Sequence, residues 1–267
     1  MSSDLPWELR LEHQGYSHLT LNWKRGNIHF DPHLEPEDND VVILLWSWPE
    51  RILATAEAIR NGKKIRVVAA QEILDWLAGF GAFEGYANSA VLDGCTIQLH
   101  PYEPFPDWTW PESIQKIAAG LRSPKKIVRR LYRKRKLPFS MPRIATVRFP
   151  SGVQFLHLNL SLHREQKQSW VREMQQKIGT SDWILCGCDY HQDEILAQNL
   201  PFFEGDLILI TDLLSDSRRA LGLPTQLLTP VVDRFLDQFS NEDRSKQFHV
   251  FAAHASFRFN QKSLTPT

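Results

Sequence analysis

The apolar run from Val41 to Trp46 constrains the fold of this chain more than any other feature of the sequence. It is apolar on both faces and begins with two β-branched residues, a pattern typical of a central strand that is buried on both sides. In open α/β sheets, ligands bind beyond the carboxyl ends of such strands. The run therefore predicts an α/β core with a cleft near Trp46.

Strands and helices alternate around this run. After it, the pattern predicts a helix over about 50–61 that ends at Gly62, a strand over 64–69 and a second helix over 71–79. Alternating strands precede it, and a hairpin over 143–158, a helix over 164–178 and further strands follow. Two such halves indicate two sheets packed face to face with helices outside, an αββα sandwich in four layers.

The amino-acid composition limits which classes of function and which cellular compartment we expect. Lys plus Arg and Asp plus Glu both number 31, so no global field draws the molecule to nucleic acid or membranes. Three cysteines, an odd number, argue against a disulfide framework and for a reducing compartment. No stretch has the apolar core of a signal peptide or the length of a membrane span. We therefore expect a cytoplasmic protein.

Three segments in order carry a family resemblance: 15–21, then Ile28-His-Phe-Asp-Pro32, then 40–45. They resemble the opening of metallo-β-lactamase-fold hydrolases of the ascorbate-phosphate lactonase-like branch. Segments 67–77, 88–94 and 250–257 resemble later parts of the same proteins. The resemblance implies one metallo-β-lactamase-like domain over residues 1–267, interrupted by a basic helical insertion at about 105–142.

The metal-binding motif of the resembled family is replaced in this chain. The resemblance places Trp46, Trp48 and Arg51 where three histidine ligands belong, and Glu50 where an aspartate ligand belongs. Indoles and a guanidinium have no lone pair to offer to zinc. The family's bridging aspartate falls on Leu160. The sequence therefore predicts no metal and no other cofactor.

Two functions remain open. The first is a metal-free, non-catalytic binding or scaffold module, which the lost ligands favour. The second is a metal-dependent hydrolase with a remodelled site, for which the sequence offers only weak catalytic candidates, namely His254, Glu50, His157, Asp189 and His191. The alternative for Asp189 and His191 is a solvated loop that caps a following helix. For His254 it is a hydrogen-bonded core residue.

Trp46, Trp48 and Arg51 are also candidates for binding. The two indoles would fill the volume that metals and their ligands occupy in the family, and we expect them to be largely buried there. Such a filled site is either closed or an apolar pocket able to stack a ligand. Asp31, in an Asp-Pro pair at a strand end, is expected to serve first as a turn residue.

The segment Ser123–Lys136 holds eight basic residues with four apolar ones on one side, which predicts an amphipathic basic helix. Such helices bind nucleic acid backbones, anionic lipid headgroups or acidic proteins. The alternative is a solvated helix neutralised by acidic neighbours. The residues expected to contact an anionic partner are Lys125, Lys126, Arg129, Arg130, Arg133 and Lys134.

We predict that binding of this segment to a polyanion weakens as salt rises, because each released counterion gains less entropy when the surrounding salt concentration is higher. Reversing the charges of Arg129, Arg130, Arg133 and Lys134 should abolish binding and leave the fold intact, since solvated charges contribute little to stability. Sedimentation with anionic vesicles and titration of duplex and single-stranded nucleic acid at two salt concentrations measure this. Equal binding by the charge-reversed protein would contradict it.

Overall fold

The structure, a computed structural model, describes only part of the chain. The described residues are 9–15, 18–23, 26–47, 49–102, 137–159, 168–187, 200, 203, 205–211, 247–251, 255–260 and 263–266. Trp48, Leu160, Asp189, His191 and His254 lie outside them, and so does the basic segment 125–136. The side chain of Glu50 is likewise not described.

Fifteen strands and three helices occur in the described ranges. The strands are β1 (Leu9–Gly15), β2 (His18–Trp23), β3 (Gly26–Phe30), β4 (Val41–Ile43), β5 (Arg66–Ala69), β6 (Glu84–Ala87), β7 (Ser89–Leu92), β8 (Cys95–Pro101), β9 (Arg143–Arg148), β10 (Gln154–His157), β11 (Ser181–Gly187), β12 (Gly205–Thr211), β13 (Gln247–Val250), β14 (Ser256–Asn260) and β15 (Ser263–Pro266). The helices are α1 (Pro49–Arg60), α2 (Gln71–Leu77) and α3 (Gln168–Ile178).

These strands form two mixed sheets. The first has eight strands in the order β15-β14-β1-β2-β3-β4-β5-β6, and the second has seven in the order β13-β12-β11-β10-β9-β8-β7. The strands from β3 to β6 and from β10 to β13 pair in parallel, whereas the other neighbours are antiparallel. Parallel neighbours place their carboxyl ends at one edge, so each sheet presents such an edge.

One apolar core lies between the sheets. Leu21, Phe30 and Ile43 of the first sheet pack with Val147 and Leu209 of the second, and all five are buried. Residues at alternate positions along a strand point to opposite faces. The inward positions of both sheets are therefore apolar, and this core holds the sheets face to face.

Helices cover the outer face of the first sheet. Ile52 and Ile59 of α1 and Ile73 of α2 pack on Val42 and Val67, which point away from the inter-sheet core. Helix α3 joins the parallel strands β10 and β11 and buries Met174 and Ile178. Because the inner face of the second sheet is occupied by the first, α3 crosses on its outer face. The predicted αββα arrangement is confirmed.

Several local predictions hold and two do not. Gly62 ends α1 with a left-handed φ of 79°, as predicted. The pairing of β9 with β10 confirms the predicted hairpin. The segment expected to be a turn before β8 instead contains strand β7, and residues 256–260 and 263–266 add two strands that the sequence pattern did not indicate.

None of the described helices has both the length and the apolar character needed to cross a membrane.

Candidate functional site

The carboxyl end of β4 lies beside the start of α1, where the sequence predicts the cleft. Strand pairing stops at Ile43, and Leu44 and Leu45 continue as a buried connection. Pro49 occupies the first position of α1, which suits proline because its fixed φ is helical and no hydrogen bond is lost there. Arg51 therefore lies in the first turn of α1, directly above the end of the central strand.

Arg51 forms a buried ion pair with Asp31. Its Nη1 donates to Asp31 Oδ2 at 2.5 Å, and the two side chains are only 2% and 1% exposed. Asp31 Oδ1 also accepts the backbone N–H of Leu45 at 2.8 Å. The sequence interpretation of Asp31 as chiefly a turn residue was therefore incomplete, since its carboxylate holds both the strand end and the guanidinium.

Asn159 at the end of β10 is a second, weaker partner of Arg51. Arg51 Nη1 donates to Asn159 Oδ1 at 3.4 Å, and Asn159 Nδ2 donates to the backbone oxygen of Arg143 at 3.4 Å. Asp31 and Asn159 both have left-handed backbones, with φ of 46° and 51°. Asp and Asn tolerate this conformation better than other residues with a side chain. Each can therefore end its strand and turn toward Arg51.

The two sheets are joined by a backbone hydrogen bond at this end. The N–H of Arg143, the first residue of β9, donates to the oxygen of Leu45 at 2.8 Å. Arg143 lies at the same alternate positions of β9 as Ala145 and Val147, which pack between the sheets. It is only 8% exposed; burial lowers the pKa of its guanidinium, and the charge of Glu72 on α2 opposes this shift.

His157, the last residue of β10, is a fully buried residue of this site. Its Nδ1 accepts the N–H of Asn159 at 2.9 Å, and its ring lies 5.2 Å from that of Phe30 between centroids. Burial, together with the charge of Arg51, lowers the pKa of His157 to about 3. Its imidazole is therefore neutral near pH 7, with one ring nitrogen already engaged, which suits a core residue better than a general base.

The Asp31 carboxyl has opposing influences on its proton affinity. Burial raises the pKa of Asp31, while the Arg51 guanidinium and the N–H groups of Leu45 and Trp46 oppose that rise. A buried carboxylate is tolerated only when it is paired and hydrogen-bonded. Arg51 supplies the compensating charge here.

Trp46 lies beside the ion pair but is less buried than predicted. The Arg51 Cζ lies 5.9 Å from the centroid of a Trp46 ring, within the range of a cation–π contact. The Trp46 side chain is only partly buried, whereas the sequence predicted a largely buried indole. Its indole therefore remains partly accessible to solvent beside Arg51.

The residues at this site do not fit the two-metal centre that the resemblance implies. Arg51 stands at a predicted ligand position, and the carboxylate nearest to it is already occupied by the guanidinium. Within the described ranges, no three His, Cys, Asp or Glu side chains are grouped so as to hold a metal ion. Of the weak catalytic candidates, only the side chain of His157 is described, and those of Glu50, Asp189, His191 and His254 are not.

A second polar cluster lies on the outer face of the first sheet. His29 Nε2 donates to Asp40 Oδ2 at 2.9 Å, and His29 Nδ1 lies 3.0 Å from His18 Nε2. Burial, and then the nearby histidines, lower the pKa of His18 to about 2. Although burial acts in the opposite direction, hydrogen bonds from His29 and the Glu37 N–H lower the pKa of Asp40. This cluster ties β2, β3 and β4 together away from the cleft.

Solved structures share this fold. A metallo hydrolase from Ignicoccus hospitalis matches with a TM-score of 0.59 and 14% identity, over 96% of this chain and 100% of that chain. The diiron β-hydroxylase CmlA from Streptomyces venezuelae matches with a TM-score of 0.60 and 10% identity, over 97% of this chain and 55% of that chain. An isothiocyanate hydrolase from Delia radicum gut bacteria matches with a TM-score of 0.53 and 12% identity, over 94% of this chain and 99% of that chain.

The chain therefore has the metallo-β-lactamase fold, as the resemblance implied. Proteins in this structural group include metal-dependent hydrolases. At 10–14% identity the likeness concerns the fold and does not single out the lactonase-like branch. No protein-family model matches the sequence, and the comparison with curated proteins found no match.

We predict that Arg51→Met destabilises the protein by about 3–5 kcal/mol, because it leaves the Asp31 carboxylate buried without its counter-charge. Chemical denaturation measures the change. Arg60→Met, on the exposed side of α1, is the matched control and should cost less than about 1 kcal/mol. The double variant Asp31→Asn with Arg51→Met should be more stable than Arg51→Met alone. Equal losses for the Arg51 and Arg60 variants would refute a structural ion pair.

We predict that His157 makes the protein sensitive to acid. Its pKa is about 3 in the folded state and 6.5 ordinarily, so its contribution is complete above pH 6.5 and declines as pH falls toward 3. At pH 5 the loss amounts to about 2 kcal/mol. His157→Gln, which cannot bind the proton, should reduce the fall in unfolding free energy between pH 7 and pH 5 by this amount. An unchanged pH dependence would show that His157 does not titrate in this way.

Proposed function

We propose that this protein is a metal-independent binding or scaffold module built on the metallo-β-lactamase fold. The observation that carries this proposal is the buried Arg51–Asp31 pair in the first turn of α1. The resemblance assigns that turn to metal ligation. Arg51 places a permanent positive charge at a position where a ligand would have to donate electrons.

Electrostatics adds to this argument. A divalent cation brought near a guanidinium would be repelled, and in a buried site this repulsion is weakly screened. The Asp31 carboxylate, which could have offset it, already has Arg51 at hydrogen-bond distance. The ion pair therefore supplies the cation that the carboxylate needs, and a metal is not required to stabilise the site.

We predict that protein purified without chelator carries substoichiometric zinc, manganese and iron, and that incubation with these ions followed by dialysis does not change this. Elemental analysis by mass spectrometry measures it. One or two tightly held metal ions per chain would contradict the proposal and favour a metal-dependent hydrolase with a remodelled site. In that event, alanine variants of Asp189, His191 and His254 would identify the ligands.

A further inference from the structure

Three imidazole rings meet on the outer face of the first sheet. His18 Nε2 on β2 lies 3.0 Å from His29 Nδ1 on β3. The His33 ring lies edge-on to the His18 ring, with 5.3 Å between their centroids. His33 belongs to the connection between β3 and β4, and His18 is only 3% exposed. These three rings, called here the histidine cluster, therefore join that connection to the sheet through a buried contact.

The hydrogen bonds of the histidine cluster leave one imidazole nitrogen unused. The Asp40 carboxylate can only accept, so His29 Nε2, 2.9 Å away, carries a hydrogen. In a neutral His29 ring Nδ1 is then an acceptor, and His18 Nε2 donates to it. The other nitrogen of His18, Nδ1, is buried and has no hydrogen-bond partner among the described residues. A proton bound there would be a buried charge without a hydrogen bond, which is strongly unfavourable.

The carboxylates that face the histidine cluster from neighbouring elements already have partners. They are Asp40, paired with His29, Glu37, paired with Lys63, and Glu12, paired with Arg10. Glu12 belongs to β1 and lies directly opposite Thr20, whose hydroxyl is 3.3 Å from His18 Nε2. The charge of a protonated His13, also on β1, opposes protonation of His18. A positive charge on His18 therefore has no unpaired carboxylate among these groups.

The segment that carries His33 is short and is anchored on both sides. Asp31, before it, is held by its buried ion pair. Glu35, after it, accepts at 2.7 Å from an amide side chain just beyond the end of α1. Residues 32–34 lie between these anchors and outside the strands, and Leu34 is 53% exposed. This segment can therefore move without breaking any strand pairing.

We infer that the histidine cluster is an acid-triggered latch. At neutral pH the contact between His18 and His33 holds segment 32–34 against the outer face of the first sheet. A proton on His18 Nδ1 needs water as its hydrogen-bond acceptor, so His18 binds it only when segment 32–34 moves away. The inference goes beyond the proposed function and does not depend on it.

The pH range in which the latch opens follows from the two states of His18. In the closed state burial, followed by the charges of His29 and His33, lowers the pKa of His18 from 6.5 to about 2. The contribution of the closed latch is therefore complete above pH 6.5 and declines as pH falls toward 2. One proton bound only by the open state raises the ratio of open to closed molecules about 25-fold between pH 7 and pH 5.

Nuclear magnetic resonance of the full-length protein, labelled in its histidine rings and leucine methyl groups, tests the latch. A soluble gadolinium chelate broadens the signals of nuclei that solvent reaches. We expect the His18 ring to be protected from the chelate at pH 7. As pH falls to 5, its signal should broaden and move toward the imidazolium position, together with a shift of the Leu34 methyl signals.

Two variants and a control assign this response to His18. His18→Gln retains a side-chain N–H donor but takes up no proton, so the Leu34 signals should stay at their neutral-pH positions. His33→Ala should expose the His18 ring to the chelate already at pH 7, which tests the latch even if His18→Gln does not fold. His157→Gln removes a buried histidine elsewhere in the protein, and its Leu34 response should match that of the wild type.

Four results would overturn the latch. They are a His18 ring that becomes protonated while protected from the chelate, a ring that does not change down to pH 5, a Leu34 shift that persists in His18→Gln, and loss of all native signals together with exposure of His18. The last result would mean global unfolding. The proposed function is judged separately, by the metal content of the protein at neutral pH.

Discussion

The ion pair between Arg51 and Asp31 is the interaction on which the cleft end of this structure depends. It joins the first turn of α1 to the end of β3, and through Leu45 it fixes the end of the central strand. Asn159 extends it to the second sheet, and the hydrogen bond from Arg143 to Leu45 closes the connection. One guanidinium thus organises elements from both halves of the sandwich.

The architecture was predictable because apolar periodicity depends on local sequence. The central run was identified correctly, but its strand pairing ends at Ile43 and does not reach Trp46. The reason is tertiary: Leu45 donates to the Asp31 side chain and accepts from Arg143 in the opposite sheet. Strand β7 was missed because only Ala90 and Leu92 are buried in it, while Val91 is 71% exposed.

The candidate site was predicted less completely. The sequence predicts from residue types that the ligand positions are replaced, but the partners of Arg51 lie 20 and 108 residues away in sequence. No short sequence motif indicates a contact between residues so far apart in the chain. Asn159 directly precedes Leu160, on which the family's bridging aspartate falls, and its left-handed backbone was not indicated by the sequence pattern. Arg143 was not identified, because one arginine in an alternating strand normally faces solvent, whereas this one begins β9 and is only 8% exposed.

The ion pair also determines which substitutions position 51 tolerates. A buried pair adds little stability over an apolar pair, yet loss of one member is severely destabilising. Replacing Arg51 by histidine, the residue that the resembled family carries at this position, would leave the Asp31 carboxylate without its permanent counter-charge. That single substitution therefore produces a less stable protein, and the guanidinium makes position 51 resistant to change.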